Sequence, residues 1–495
     1  MNNSVLKKAI AHLKHYGLHD FVYKTLETIY DRKNDNYNWE KYAASQSELE
    51  RQKSYKFDYE PKISILVPAY ETKIDFLVEL LDSVVNQSYA GWELCLADAS
   101  YTDVVEKTVI RYKKSLSDEQ AKRIVYRRLK ENCGISENTN KAYEMASGDY
   151  IALLDHDDII SADALYEMVS AINEMDFESR NMAMLYSDED KITEDGNRHF
   201  YPHFKLDYNL EYLRTNNYIC HLLVVSENLA RAVGGWRKEF DGAQDYDFIL
   251  RCSEKAEIIT HVPKILYHWR VSSASTAGDK YTKMYAYEAG RKAIEEHLKR
   301  CGESGSVTIL KELGTYKVSY DMVLVNKERI SYRNIVSDID RYVDYKLVKS
   351  ICDIDNCISV QKPFVLFVYE SVELDKARKI ATKLVRYMDR KNVAAVAPKE
   401  IHRGKVKQNG LCTDKDGKIV RQFEGLNKNY KGYFKRVSLP QNAEGIMFKC
   451  TLVRTEVMKI INIDGSNSMN EWKLGREIIQ NGFELIQASD IILRD

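Results

Sequence analysis

Several things are missing from this 495-residue chain, and each absence removes a class of function. Charge of one sign is missing: 74 acidic residues against 73 basic ones leave a formal net charge of -1. With no basic excess to neutralise a phosphate backbone, nucleic acid is excluded as a partner. The nine cysteines contain no C-x-x-C pair, so zinc and dithiol redox motifs are absent. Met1-Asn2-Asn3-Ser4 is not followed by a long uncharged core, so no secretory signal is expected. Reduced thiols in the cytoplasm are the simplest reading. No run approaches the roughly 20 apolar residues that span a bilayer. A membrane role is therefore expected to be peripheral, at the inner face of the plasma membrane or through a partner protein. Low-complexity tracts and short-period repeats are absent as well.

What is present is a folding chain. Apolar residues make up 44% of it, and the length suggests about two to four domains. The 34 tyrosines suit sugar contacts, but ordinary half-buried packing is the weightier reading. Residues 1–60 read as a helical N-terminal segment, with Leu6, Ile10, Leu13, Phe21, Val22, Leu26 and Ile29 near helical spacing. Packing against the main domain is favoured over a membrane-surface role. Pro61 marks a boundary.

The period then changes. Ile63–Val67, Trp92–Ala97, Ile124–Leu129 and Tyr150–Leu154 read as strands. Helices fall between them: Phe76, Leu77, Leu80, Leu81 and Val84 form one apolar face, Val104–Lys114 follows, and Ser136–Ala146 ends at Gly148. This alternation predicts an α/β domain with a largely parallel sheet, whose ligand site lies beyond the carboxyl ends of the strands. Asp98 and the cluster Asp155-His156-Asp157-Asp158 fall there. Beyond residue 205 we expect helices, one opening at Gln244-Asp245. Ile258–Val262 and Lys264–Arg270 read as two short strands, and Met284–Arg300 as a closing helix.

Two carboxylates one residue apart, at a strand end, can hold a hard divalent cation through oxygen, with phosphates completing its shell. Alone, Asp-x-Asp is as well explained by a surface turn or a helix N-cap. Its surroundings decide. Lys62–Tyr70, Asp82–Tyr89, Leu96-Ala97-Asp98, Asn132-Cys133-Gly134-Ile135-Ser136, Ala146–Asp158, Gly242–Asp247 and Leu266-Tyr267-His268-Trp269-Arg270 follow one another in order. The stretch 61–275 resembles the inverting family-2 glycosyltransferases of GT-A fold. Tyr186–Lys191 and Asn217–Leu222 look like a bacterial subgroup, rhamnosyltransferase-like enzymes among them, that builds surface polysaccharides.

The resemblance implies roles. Asp155, Asp157 and His268 would hold Mn²⁺ or Mg²⁺. Asp245 would be the catalytic base. Pro68, Tyr70, Glu71, Asp98, Asn132, Gly134 and Asp155 would bind the nucleotide. Asp188, Glu189, Gln244 and Trp269 would line the donor or acceptor site, although a solvated acidic turn explains the first two equally well. The partners implied are a nucleotide-diphosphate sugar, UDP- or dTDP-linked, and a glycan or lipid-linked acceptor. Ala99, Thr139 and Gln244 depart from common family residues and touch base and donor contacts. A sugar-phosphate nucleotidyltransferase would place a glycine-rich basic loop where this chain has Val67-Pro68-Ala69-Tyr70-Glu71. A glycan-binding scaffold would not need Asp155, Asp157, Asp245 and His268 together.

The domains read as 1–60, a catalytic unit 61–305, and a degenerate glycosyltransferase-like domain 306–495. In the last, Pro363–Val368 resembles the strand before a metal motif, yet Tyr369-Glu370-Ser371 follows it. Asn470-Glu471-Trp472-Lys473 stands where the base is usual, with a lysine in place of an acid. This module is expected to be catalytically silent. The lysine- and arginine-rich stretch 399–436 reads as a solvated surface.

Overall fold

A computed structural model describes residues 37–271, 284–349, 361–414, 416–459 and 471–494. The predicted helix around Leu6–Ile29 lies outside them. The described part of the N-terminal segment packs on the main domain. Gln52, on the helix Gln46–Ser54, is buried and accepts a hydrogen bond from Ser88 (2.7 Å), and Phe57 packs on Tyr166.

The first sheet has nine strands: β1 Ile63–Ala69, β2 Trp92–Asp98, β3 Ile124–Arg128, β4 Tyr150–Leu153, β5 Ile159–Ile160, β6 Ala183–Thr193, β7 His199–His203, β8 Leu223–Ser226 and β9 Ile258–Val271. Their order is β3-β2-β1-β4-β8-β6-β9-β5, with β7 on β6. The strands β3, β2, β1 and β4 run parallel. β8 enters antiparallel between β4 and β6, and β6 and β9 are parallel again. All seven residues of β1 and of β2 are buried, as expected for strands covered on both faces. The helix Ile74–Val85 covers one face with Phe76, Leu77, Leu80, Leu81 and Val84. Asp98 closes β2 opposite Ala69, and β4 runs directly into Asp155, so both carboxylates sit at the carboxyl edge.

Two elements differ from the sequence reading. The expected helical stretch after residue 205 contains β8, and the two short strands at 258–270 are one strand of 14 residues. Val262 pairs with Ser187 and Ile265 with Asp188, so Pro263-Lys264 bulges out of the ladder without ending it.

The C-terminal sheet repeats this plan. Its strands are β14 Val343–Val348, β15 Phe364–Tyr369, β16 Val393–His402, β17 Lys405–Gln408, β20 Gln441–Asn442, β21 Cys450–Arg454 and β22 Glu484–Arg494; the short strands β10–β13 and β18–β19 form separate hairpins. The order β14-β15-β21-β16-β22 has the same parallel, antiparallel, antiparallel, parallel sequence as β1-β4-β8-β6-β9. β17 folds onto β16 as β7 folds onto β6. Both long pairs also shift register, at Ser187/Asp188 and at Pro398/Lys399. Counterparts of β2 and β3 are absent among the described residues.

The two sheets meet across a buried polar seam. Arg214 is 1% exposed and donates to Glu303 twice (2.6 and 2.8 Å). Arg390 joins Glu211 (2.9 Å) to Glu484 (2.8 Å), and Asn209 and Asn442 bond reciprocally (2.8 and 2.9 Å). Removing one member of a buried ion pair leaves an uncompensated charge. Arg214→Met should therefore lower stability by about 3–5 kcal/mol, read as a reduced urea midpoint.

Candidate active site

The floor of the site is the turn after β4. The Asp155 side chain is 54% exposed and projects into the cleft. Its backbone N–H donates to the Tyr267 hydroxyl (3.3 Å), and that hydroxyl donates to Asp158 (2.6 Å). Asp158 is fully buried and also accepts from the Arg270 amide, so it anchors the turn from below. Burial within the cleft raises the Asp155 carboxyl; His221 opposes this, and the like charges of Asp157 and Asp245 add to it. A cation placed here would relieve that repulsion.

Asp245 opens the helix Gln244–Lys255. Its Oδ2 accepts from Asn217 Nδ2 (2.9 Å) and is approached by Cys220 Sγ (3.6 Å). Cys220 Sγ lies 3.3 Å from His221 Nε2, which faces Asp155 Oδ2 at 3.8 Å. The dipeptide Cys220-His221 thus spans the gap between the aspartate turn and the helix-borne carboxylate. Burial pushes the Cys220 thiol up to about 11, so it is neutral at physiological pH. Burial opposes charge on His221 too, but its contacts with Cys220 and then with Glu189, 3.2 Å from Nδ1, move its pKa well above the usual range.

His268 is not part of this cluster. It alternates with Tyr267 and Trp269 along β9, and only those two face His221, at ring distances of 4.5 and 5.9 Å. His268 points to the other side of the sheet, where Nδ1 meets Asp190 (2.6 Å) beside His199 and under Trp39. Burial lowers its pKa. The imidazole beside Asp155 is His221, so the assignment of His268 next to the aspartate turn is corrected by strand parity.

Asp188 and Glu189 are not a solvated turn either. Both are buried on β6. Asp188 Oδ1 accepts from the Lys205 amide and meets His261 (2.8 Å each). Burial opposes the charge of Glu189, but Lys205, His203 and His221 outweigh it and hold its pKa well below the usual range. Trp269 takes Lys191 against its ring at 4.6 Å, and Gln244 Oε1 accepts from the Gly242 amide.

The other expected nucleotide contacts lie along the carboxyl edge. Asp98 is buried and accepts from the Ser100 amide and the Tyr126 hydroxyl, while Pro68 pairs with Ala97 inside β1. Glu71 accepts from the amides of Tyr101 and Thr102, and the exposed Tyr70 ring packs edge-on to Tyr101. Asn132 Oδ1 accepts from the Gly134 amide. Gly134 has φ +100°, and a Cβ there would lie 2.4 Å from Asp241 Oδ2, so only glycine fits this turn. Asn217, Cys220 and His221 received no role from the sequence, although the segment was visible as a subgroup mark.

Parallel strands ending in a paired-aspartate turn, with an antiparallel strand entering the same sheet, make a fold of GT-A type. Residues 64–231 match the family model Glycosyl transferase family 2. Among curated relatives, the uncharacterized protein y4gI of Sinorhizobium fredii is 45% identical over 242 residues, 48% of this chain and 26% of that protein. The O-antigen biosynthesis protein RfbC of Myxococcus xanthus is 35% identical over 260 residues, 52% of this chain and 20% of that protein. Among solved structures, S. aureus TarS in complex with UDP aligns at 19% identity over 48% of this chain and 65% of that one, with a TM-score of 0.37. No described helix is long and apolar enough to cross a membrane.

Proposed function

We propose that residues 61–305 form an inverting, cation-dependent glycosyltransferase domain. It would move a sugar from a UDP- or dTDP-sugar to a hydroxyl of a surface polysaccharide or a lipid-linked glycan. The observation that carries this reading is the Cys220-His221 bridge, which places Asp245 across the cleft from Asp155. Asp155 and Asp157 are oxygen donors of the kind that suit Mn²⁺ or Mg²⁺, and the raised Asp155 carboxyl fits a site that gains from a cation. Such a cation, when bound, stabilises the charge that builds on the departing diphosphate. Asn217 fixes one oxygen of Asp245, so the carboxylate keeps one orientation as it takes the proton of the acceptor hydroxyl. His221, beside Asp155 and bonded to Glu189, would add positive charge on the diphosphate side.

A base on the face opposite the leaving group gives a single displacement. An α-linked UDP-sugar should therefore yield a β-linked product, seen in the anomeric proton coupling by NMR. Retention would contradict the role given to Asp245.

Residues 306–495 are read as a silent second module. At its equivalent strand end, Tyr369 donates its hydroxyl to Glu471 (2.9 Å), which also accepts from the Phe448 amide (3.0 Å). The O-antigen relative supports the surface-polysaccharide setting.

A further inference from the structure

Among the described residues, the seam between the sheets comes close to the proposed site at Phe434. Phe434 lies on the C-terminal side and stacks flat on His203 of β7, ring centroids 3.8 Å apart and planes 8° from parallel. Its backbone is held in a left-handed conformation (φ +50°, ψ 23°) that L residues rarely adopt, flanked by Gly432 at φ +75° and Lys435 at φ +64°. The Tyr212 hydroxyl of the first sheet's domain donates to the Phe434 carbonyl (2.7 Å). Strain that persists because neighbours impose it often marks a functional constraint.

Behind the stacked ring runs a chain of contacts. His203 Nδ1 meets Glu189 Oε1 at 3.4 Å, Glu189 Oε2 meets His221 Nδ1 at 3.2 Å, and His221 Nε2 faces Asp155 at 3.8 Å. We infer that Phe434 is a positioning residue contributed by the C-terminal region: it clamps His203, and through Glu189 fixes His221 against Asp155. The inference rests on the proposed nucleotide-sugar site and gives the silent module a task within it.

The physics is burial. His203 faces Glu189 and Asp188 from β6, Lys205 from the chain after β7, and Phe434 across the seam. Burial pushes its pKa down to about 4, so it stays neutral and shares Glu189 without competing as a cation. Uncovering it would let water in, restore an ordinary imidazole pKa and draw Glu189 away from His221.

The test uses the full chain with ¹³C-labelled histidine, as wild type, Phe434→Ala and Phe434→Tyr, with His203→Gln to assign the resonance. Wild-type His203 should not titrate above about pH 5, whereas in Phe434→Ala it should titrate near about 6.5 and the His221 resonance should move. Affinity for UDP with Mn²⁺, by calorimetry, should fall about tenfold in Phe434→Ala. Phe434→Tyr should restore all three readings. A silent His203 and an unmoved His221 in Phe434→Ala would overturn the inference, as would equal losses in Phe434→Tyr. If wild type binds no nucleotide, the donor reading fails, and the histidine spectra still decide whether Phe434 positions His221.

Discussion

Asp245→Asn should lower kcat by about a thousandfold and leave donor KM within about twofold. Asparagine keeps the shape of the side chain and can still meet Asn217, so the start of helix Gln244–Lys255 should survive. What it loses is the ability to accept a proton. The acceptor hydroxyl is a poor nucleophile until that proton leaves, and a positioned base contributes about a hundredfold to ten-thousandfold. Because the substitution is far from the aspartate turn in sequence and alters no residue there, nucleotide binding should persist. Steady-state kinetics with calorimetry of UDP on the same protein separates the two effects. A kcat within about threefold of wild type would remove Asp245 from the mechanism.

Asp155→Ala and Asp157→Ala should each abolish cation-dependent nucleotide binding. The two carboxylates are the oxygen donors at the end of β4, while Asp158 in the same turn is buried beneath them. Loss of a ligand that binds the native state removes its stabilisation. At a ligand concentration about 100 times Kd that stabilisation is about 2.7 kcal/mol, which corresponds to several degrees of melting temperature. Asp158→Ala gives a contrasting result. Asp158 is buried under the turn, bonded to Tyr267 and Arg270, so its loss should lower the melting temperature of the unliganded protein as well.

Much of this was legible before any coordinates, for physical reasons. The strands β1, β2 and β4 are covered on both faces and therefore read as unbroken apolar runs that stop at Asp98 and Asp155. β6 was hidden because it buries Ser187, Asp188, Glu189 and Asp190, a composition that looks like a surface turn until His203, Lys205, His221, His261 and His268 are found around it. β9 looked broken because Pro263 and Lys264 leave the ladder. That His268 stands apart from Trp269 was legible from sequence alone, and the structure sets it with Asp190 and His199. Neighbours in a strand face opposite ways, so His268 and Trp269 could not both serve one cleft. His221 was harder to find: it stands just before β8, and nothing in its spacing ties it to Asp155. The repeated strand order of the C-terminal sheet lay beyond reach for a similar reason, since pairing between distant strands leaves no periodic mark. Of its strands, Phe364–Tyr369 and the start of Val393–His402 carried apolar runs strong enough to suggest it.

The central claim is a cation-dependent nucleotide site built on Asp155 and Asp157. The most direct measurement is thermal stabilisation of the full chain by UDP, dTDP, GDP and CDP, each with and without Mn²⁺. A shift of several degrees with UDP or dTDP that requires Mn²⁺ is the predicted result. The absence of a shift with every nucleotide, or a shift indifferent to Mn²⁺, would contradict it.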